Sequence, residues 1–292
     1  MAILIDESSR VVVQGITGRE GSFHALRNRD YGTQVVAGVT PGKGGQQVEG
    51  IPVFDTVRGA VEAEGVDTSL LFVPARFAAD AMYEAIDAGV GVVVTITEGI
   101  PVHDMLRAYH HARAQGVTLI GPNCPGLISP GRANVGIIPT SVFKQGGVGL
   151  VSRSGTLTYQ IAHELTRRGI GQSTAVGIGG DPIVGSSFID VLERFGADEQ
   201  TEAVVLVGEI GGGEEEAAAA WAQEHLEKPV VAYVAGFTAP PGKQMGHAGA
   251  IISGSTGTAQ AKQQALEAAG IRVGKDPSEV GELVARSFAR AA

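Results

Sequence analysis

Residues 11–21, VVVQGITGREG, hold the reading that decides the fold. Val11–Gln14 is a short β-branched run with the composition of a buried strand. Gly15, Gly18 and Gly21 follow directly, and a helical pattern opens near Glu20–Arg29. A strand that ends in a glycine turn and opens a helix brings free backbone amides and the positive end of a helix dipole to one point, which suits a phosphate. The spacing is GxxGxxG, not the GxGxxG of dinucleotide folds. Where those folds place an acidic residue for the ribose hydroxyls, at the end of the second strand, this chain has Thr40-Pro41-Gly42-Lys43. A lysine there favours a phosphate over an NAD ribose. The alternative is that these glycines only permit tight strand–helix packing.

Outward from this unit the same alternation continues. Gln34–Val39, Ser69–Val73, Val90–Ile96 and Val117–Ile120 read as strands. Val57–Glu64, Ala78–Ala88 and Asp104–Gln115 read as helices. Such alternation predicts a parallel sheet covered by helices on both faces. The stretch 122–147, with Pro122, Pro125, Pro130 and Pro139, has poor periodicity and reads as a crossing segment. A second alternating set follows it. Its strands are Val148–Val151, Ser173–Ile178, Ala203–Val207, Val230–Val234 and Ile271–Val273. Its helices lie near Thr156–Arg168, Ser186–Phe195, Glu214–Glu227, Thr258–Ala269 and Pro277–Arg290. A length of 292 residues fits two such units. In open α/β sheets ligands meet the carboxyl ends of the strands, so the loops there carry the function.

Composition narrows the classes. The 43 glycines are about twice the usual ~7% share and cluster behind apolar runs, as expected of loops shaped around ligands. A net charge of −9 argues against a nucleic-acid or anionic-membrane surface, so an anionic ligand must meet locally arranged donors. No apolar run approaches the ~20 residues of a membrane span. The single cysteine, Cys124, forms no internal disulfide, and the first residues read as neither signal nor transit peptide, so the expected location is the cytoplasm.

Three further loops bear on chemistry. Ile96-Thr97-Glu98-Gly99 follows the fourth strand, with Glu98 read either as a ligand contact or as a cap or solvated charge. Ser152-Arg153-Ser154-Gly155-Thr156 is a hydroxyl-rich strand-to-helix turn suited to a small oxyanion, or a plain helix cap. It lacks the glycine two residues before the serine that a nucleophile elbow needs. In residues 242–254 one histidine, His247, sits among glycines, away from any helical apolar face. It reads as a presented imidazole or as an ordinary surface residue. His110 and His111 are adjacent and point different ways on a helix, and His24, His103, His163 and His225 lack ligand-spaced partners, so no metal is expected. No GxxxxGK[ST] occurs, which places any nucleoside triphosphate on a partner.

Together these loops resemble the alpha subunits of succinyl-CoA synthetase. The resemblance rests on GITGREG, GVTPGKGG, TITEGIP, IGPNCPG, VSRSGTLTY, GIGGDPI, GEIGG and GHAGAI, in that order and at that spacing along nearly the whole chain. It implies an α/β chain with a Rossmann-like CoA-binding domain over 1–121, the crossing segment 122–147, and a flavodoxin-like ligase domain over 148–292, both with parallel sheets. By resemblance, CoA contacts fall on Thr17, Gly18, Arg19, Glu20, Lys43, Ile96, Thr97 and Glu98. The phosphorylated histidine falls on His247, its supporting carboxylate on Glu209, the phosphate-binding helix start on Ser154, Gly155 and Thr156, and a substrate contact on Tyr159. The implied activity is an acid-thiol ligase of the tricarboxylic acid cycle, with a beta subunit supplying the ATP or GTP site and Mg2+, and with succinate, phosphate and CoA as substrates. Neither nucleic acid nor membrane is an expected partner. Gln244 stands where many relatives have arginine. A malate-CoA ligase alpha subunit is the alternative enzyme; a non-catalytic CoA-sensing module is the alternative of another class, and it has no need of GHAGAI.

Overall fold

A computed structural model describes residues 2–240, 242–252 and 257–291. The first sheet is built from β1 (Arg10–Gln14), α1 (Arg19–Tyr31), β2 (Gln34–Val39), β3 (Gln47–Val48), β4 (Ile51–Phe54), α2 (Val57–Glu64), β5 (Thr68–Leu71), α3 (Ala75–Asp87), β6 (Val92–Thr95), α4 (Val102–Gln115) and β7 (Thr118–Ile120). Its strand order is β3-β4-β2-β1-β5-β6-β7. The six strands other than β3 therefore follow the 3-2-1-4-5-6 order of the Rossmann fold, with the reversal between β1 and β5. Val11, Val12 and Val13 are fully buried, as a strand covered on both faces requires. Local signals set the helix limits: Thr56 caps α2 by accepting from the Gly59 amide, and Gly32, Gly65 and Gly116 end α1, α2 and α4 in the left-handed region.

The second sheet comprises β8 (Gly126–Ser129), β9 (Ala133–Gly136), β10 (Gln145–Ser152), α5 (Gly155–Arg167), β11 (Gln172–Gly177), α6 (Phe188–Ala197), β12 (Ala203–Glu209), α7 (Glu214–His225), β13 (Val230–Ala235), α8 (Ala259–Ala268), β14 (Arg272–Gly274) and α9 (Pro277–Ala291). The order β14-β13-β12-β10-β11-β8-β9 contains the 2-1-3-4-5 flavodoxin arrangement in its five parallel strands, with the reversal between β10 and β12.

The α/β fold class is as expected, and the structure adds detail at the sheet edges and in the stretch 122–147. Both sheets are mostly parallel; the exceptions are β3, which pairs antiparallel with β4, and β8, which runs antiparallel to its neighbours β11 and β9. The stretch read as a mere crossing segment supplies β8 and β9. Prolines at 125 and 130 hide the short strand between them, and the tight turn after Ser129 permits only an antiparallel return.

The two sheets are packed together. Ser129 Oγ donates to the Ile5 carbonyl (2.9 Å), Asn28 Nδ2 to the Gly136 carbonyl (3.0 Å), and Arg113 pairs with Asp190 at 2.9 Å. This contact brings the strand-end loops of one sheet against those of the other.

Candidate functional site

The reversal point of each sheet carries a cavity or a charge cluster. In the first sheet a cavity of about 480 Å³ lies against Gly15, Val39, Thr40, Pro41, Val73 and Phe77. Its floor depends on glycine: a Cβ on Gly15 would lie 2.6 Å from the Phe72 carbonyl oxygen, and one on Gly21 2.2 Å from that of Gly15. Gly18 caps α1 without a side-chain acceptor, so the first-turn amides are left for an anion. Thr17 Oγ1 and Thr40 Oγ1 meet at 3.1 Å and join the loops after β1 and β2. Thr17, Gly18, Arg19, Glu20 and Lys43 are all exposed around this end of the sheet.

A second cavity, of about 520 Å³, lies where the two sheets meet, and it gathers residues far apart in sequence. Ile96, Thr97 and Glu98 line it from the first sheet; Ser154, Gly155, Thr156, Tyr159 and His247 line it from the second; Asn123 and Cys124 bridge them. Backbone and side-chain bonds fix the seam. Thr97 Oγ1 donates to the Val73 carbonyl (2.7 Å), the Asn123 amide to the Thr97 carbonyl (2.9 Å), and Asn123 Nδ2 to Asp181 Oδ1 (2.9 Å). Ser154 is a helix cap, its Oγ accepting from the Leu157 amide, which leaves the first-turn amides of Gly155 and Thr156, both cavity-lining residues, without a side-chain cap. Burial pushes the Tyr159 phenol up to about 12 and the Cys124 thiol up to about 12, so both are neutral at physiological pH and Cys124 is no nucleophile.

His247 stands on the loop after β13. Its Nδ1 lies 2.7 and 2.9 Å from the two oxygens of Glu209, the last residue of β12. The loop is tied down by the Gly249 amide donating to the Gly180 carbonyl (3.0 Å) and the Met245 amide to the Ala250 carbonyl (3.0 Å), with Gly246 at φ +77° making the turn. The ring lies over Gly180, where a Cβ would fall 2.2 Å from His247 Cγ. The Glu209 hydrogen bond raises the imidazole above its usual range; burial opposes the shift, the Glu209 and Asp181 charges add to it, and the Arg153 charge draws it down. Ser253 and Gly254, at the end of the loop singled out in the sequence, lie outside the described residues.

The structure thus brings His247, Glu209, Tyr159, Ser154–Thr156 and Ile96–Glu98 together, and leaves Thr17–Glu20 and Lys43 around the neighbouring cavity. The sequence reading gave Asn123, Asp181, Gly180 and Arg153 no role. Their signal was present in IGPNCPG, GIGGDPI and VSRSG, but only folding shows that these segments converge. Among the described residues no group of three or more His, Cys, Asp or Glu side chains is set to hold a metal, and no helix is long and apolar enough to cross a membrane.

The CoA binding domain family matches residues 6–99, and the CoA-ligase family matches residues 151–272. The ADP-forming succinate–CoA ligase subunit alpha 2 of Archaeoglobus fulgidus is 63% identical over 285 residues, covering 98% of this chain and 99% of that protein. The corresponding alpha subunit of Aquifex aeolicus is 60% identical over 288 residues, covering 98% and 94%. Among solved structures, the ATP citrate lyase of Methanosaeta concilii in complex with (3S)-citryl-CoA matches with a TM-score of 0.91 at 26% identity over 99% of this chain. That match covers 51% of the lyase, so this chain spans about half its length.

Proposed function

This chain belongs to the family of succinate–CoA ligase alpha subunits, and from that membership we propose that it binds CoA and relays phosphate through His247 in an ADP-forming succinate–CoA ligase. The observation that carries the mechanism is the 2.7 Å contact between His247 Nδ1 and Glu209 beside a cavity shared by both sheets. In the forward direction the partner's nucleotide gives its γ-phosphoryl group to Nε2 of His247, releasing ADP. The succinate carboxylate then takes the phosphoryl group, restoring the imidazole and forming succinyl phosphate. The CoA thiolate attacks the acyl carbon, the C–O bond to phosphate breaks, and succinyl-CoA and inorganic phosphate leave. Glu209 accepts the Nδ1–H and so fixes the tautomer that leaves the Nε2 lone pair free.

The remaining residues position. Thr17–Glu20 and Lys43 hold the CoA phosphates, the apolar cavity under Phe77 takes the flat base, and Ile96–Glu98 guide the thiol arm towards Tyr159 and His247. The N-terminus of α5 at Ser154–Thr156 holds the phosphate; a helix dipole is worth only ~0.3–2 kcal/mol, so placement by several amides does most of the work. The family matches favour residues 1–121 as the CoA-binding unit and 148–292 as the ligase unit, with a beta subunit supplying Mg2+ and nucleotide. The free Cys124 fits a reducing cytoplasm.

The test is labelling of the enzyme assembled with its beta subunit, using ATP radiolabelled at the γ-phosphate. The expected label on this chain is acid-labile and base-stable, absent in His247→Asn and reduced in Glu209→Gln without loss of CoA binding. An acid-stable label persisting in His247→Asn places the carrier elsewhere, with Ser154 the next candidate. A panel of dicarboxylates then separates succinate from malate.

A further inference from the structure

Arg153 is 5% exposed, directly behind the site, at the turn where β10 gives way to α5. Its amide donates to the Val207 carbonyl (3.1 Å), so it sits beside β12 at the reversal point of the second sheet, next to Glu209. Its guanidinium is divided among three neighbours. Nη1 donates to Glu214 Oε2 (3.3 Å) and Nη2 to the Asp181 carbonyl (3.3 Å). Nε, buried and without a hydrogen-bond partner among the described residues, faces Glu209 Oε1 at 3.7 Å.

That arrangement is unusual for arginine, whose planar fork normally grips a carboxylate with two close bonds. Here both Glu209 oxygens are turned to His247 instead. A hydrogen bond from Nε would draw the carboxylate off the histidine; at 3.7 Å the arginine lends charge without competing for the lone pairs. Glu209 is 7% exposed, and a buried carboxylate needs a counter-charge. If the histidine alone supplied it, the pair would settle as imidazolium and carboxylate, with protons on both ring nitrogens and no lone pair at Nε2.

We propose that Arg153 is a positioning residue for the phosphoryl carrier: its guanidinium is the standing counter-charge of Glu209, which weakens that carboxylate's hold on a second ring proton and favours the neutral His247 with Nε2 free to attack phosphorus. The other charges around the pair do not replace it. Asp181 and Glu214 are negative, and Lys262 is engaged by Glu215 and Glu216 on α7. The guanidinium also leaves little room for a side chain at Gly249 on the loop, where a Cβ would lie 3.3 Å from Nη2.

The inference rests on His247 as carrier, and the experiment separates the two. The rate of label transfer to this chain from γ-labelled ATP is followed in the assembled enzyme across pH. In Arg153→Gln the acidic limb of the profile should move up by about one pH unit, the low end of what a neighbouring charge produces. Arg153→Lys, which keeps the charge, should restore the limb to near its original place. Glu214→Gln, a change on the more exposed partner, should move it slightly the other way and covers the case in which Arg153→Gln does not fold. Label retained in His247→Asn sinks the carrier assignment itself. Label on His247 with the limb unmoved in Arg153→Gln, or, where that variant does not fold, unmoved in Glu214→Gln, overturns only the role of Arg153.

Discussion

Gly180 decides where the His247 ring can lie. A methyl group there would stand 2.2 Å from His247 Cγ, so Gly180→Ala must displace the imidazole by more than an ångström from Glu209. Phosphorylation should fall on the order of 10²-fold, as misplacement of that size does, with the melting temperature little changed. Single-turnover labelling beside a thermal melt checks both halves of this expectation. The same ring has a pH signature. Its affinity for a proton is raised in the folded chain, chiefly by the Glu209 hydrogen bond. A raised value means that the protonated pair stabilises the fold fully below the unfolded histidine value of 6.5, and that this stability is lost as pH rises through the folded value. The stability gap between the native chain and His247→Asn should therefore be widest in mild acid and shrink towards alkaline pH. Denaturant unfolding at a series of pH values measures it, and a gap that grows with pH contradicts the Glu209 contact.

The elements that hold this residue in place depend on a buried ion pair. Lys262 on α8 is fully buried and paired with Glu215 on α7, whose other oxygen accepts the Glu209 amide at 3.0 Å. The chain from α8 through α7 to the end of β12 thus braces the carboxylate that holds His247. Burial raises the Glu215 carboxyl and the Lys262 charge opposes it, so Lys262→Met leaves Glu215 without its counter-charge. That should cost about 3–5 kcal/mol, seen as a lower denaturant midpoint, and the double variant Lys262→Met with Glu215→Gln should recover part of it. None of this was legible in the sequence: Lys262 lies in an ordinary polar helix, and Glu215 in a run of three glutamates that reads as a solvated start. The parallel strands were legible because burial on both faces forces unbroken β-branched runs, as in Val11–Val13 and Val204–Val207. Strands β8 and β9 were not, because four residues apiece, set among prolines, carry no period. His247 and Glu209 were singled out through motif order; Arg153 needed the sheet, since only strand order sets the end of β10 beside the end of β12.

At the scale of the molecule the two sheets are joined more closely than a chain of separate domains requires. One buried cluster runs from Val11, Val13 and Ile16 in the first sheet through Ile120 and Leu127 to Val151, Phe188 and Leu206 in the second. Ile3 and Ile5, ahead of β1, belong to that cluster, and the Ile5 carbonyl accepts from Ser129. The proposed CoA path has the same span. Its phosphates are placed at the end of the first sheet and its thiol arm in the cavity that His247 lines from the second. On that proposal binding draws on both halves. Calorimetric titration should show the chain binding CoA without its partner, and Lys43→Glu should weaken that binding while leaving the fold intact; unchanged affinity removes Lys43 from the phosphate site. Turnover by contrast should require the beta subunit, since no Walker-type loop is present in the sequence. The shared core makes the last expectation the most demanding. Scanning calorimetry of the chain alone should give one cooperative endotherm, because the cluster that stabilises one sheet cannot melt without exposing the other. CoA at about 100 times its dissociation constant should stabilise the folded state by about 2.7 kcal/mol and shift that single endotherm as a whole. Two endotherms, with only the first moved by CoA, would show that the sheets unfold independently and that the ligand is held by the first alone.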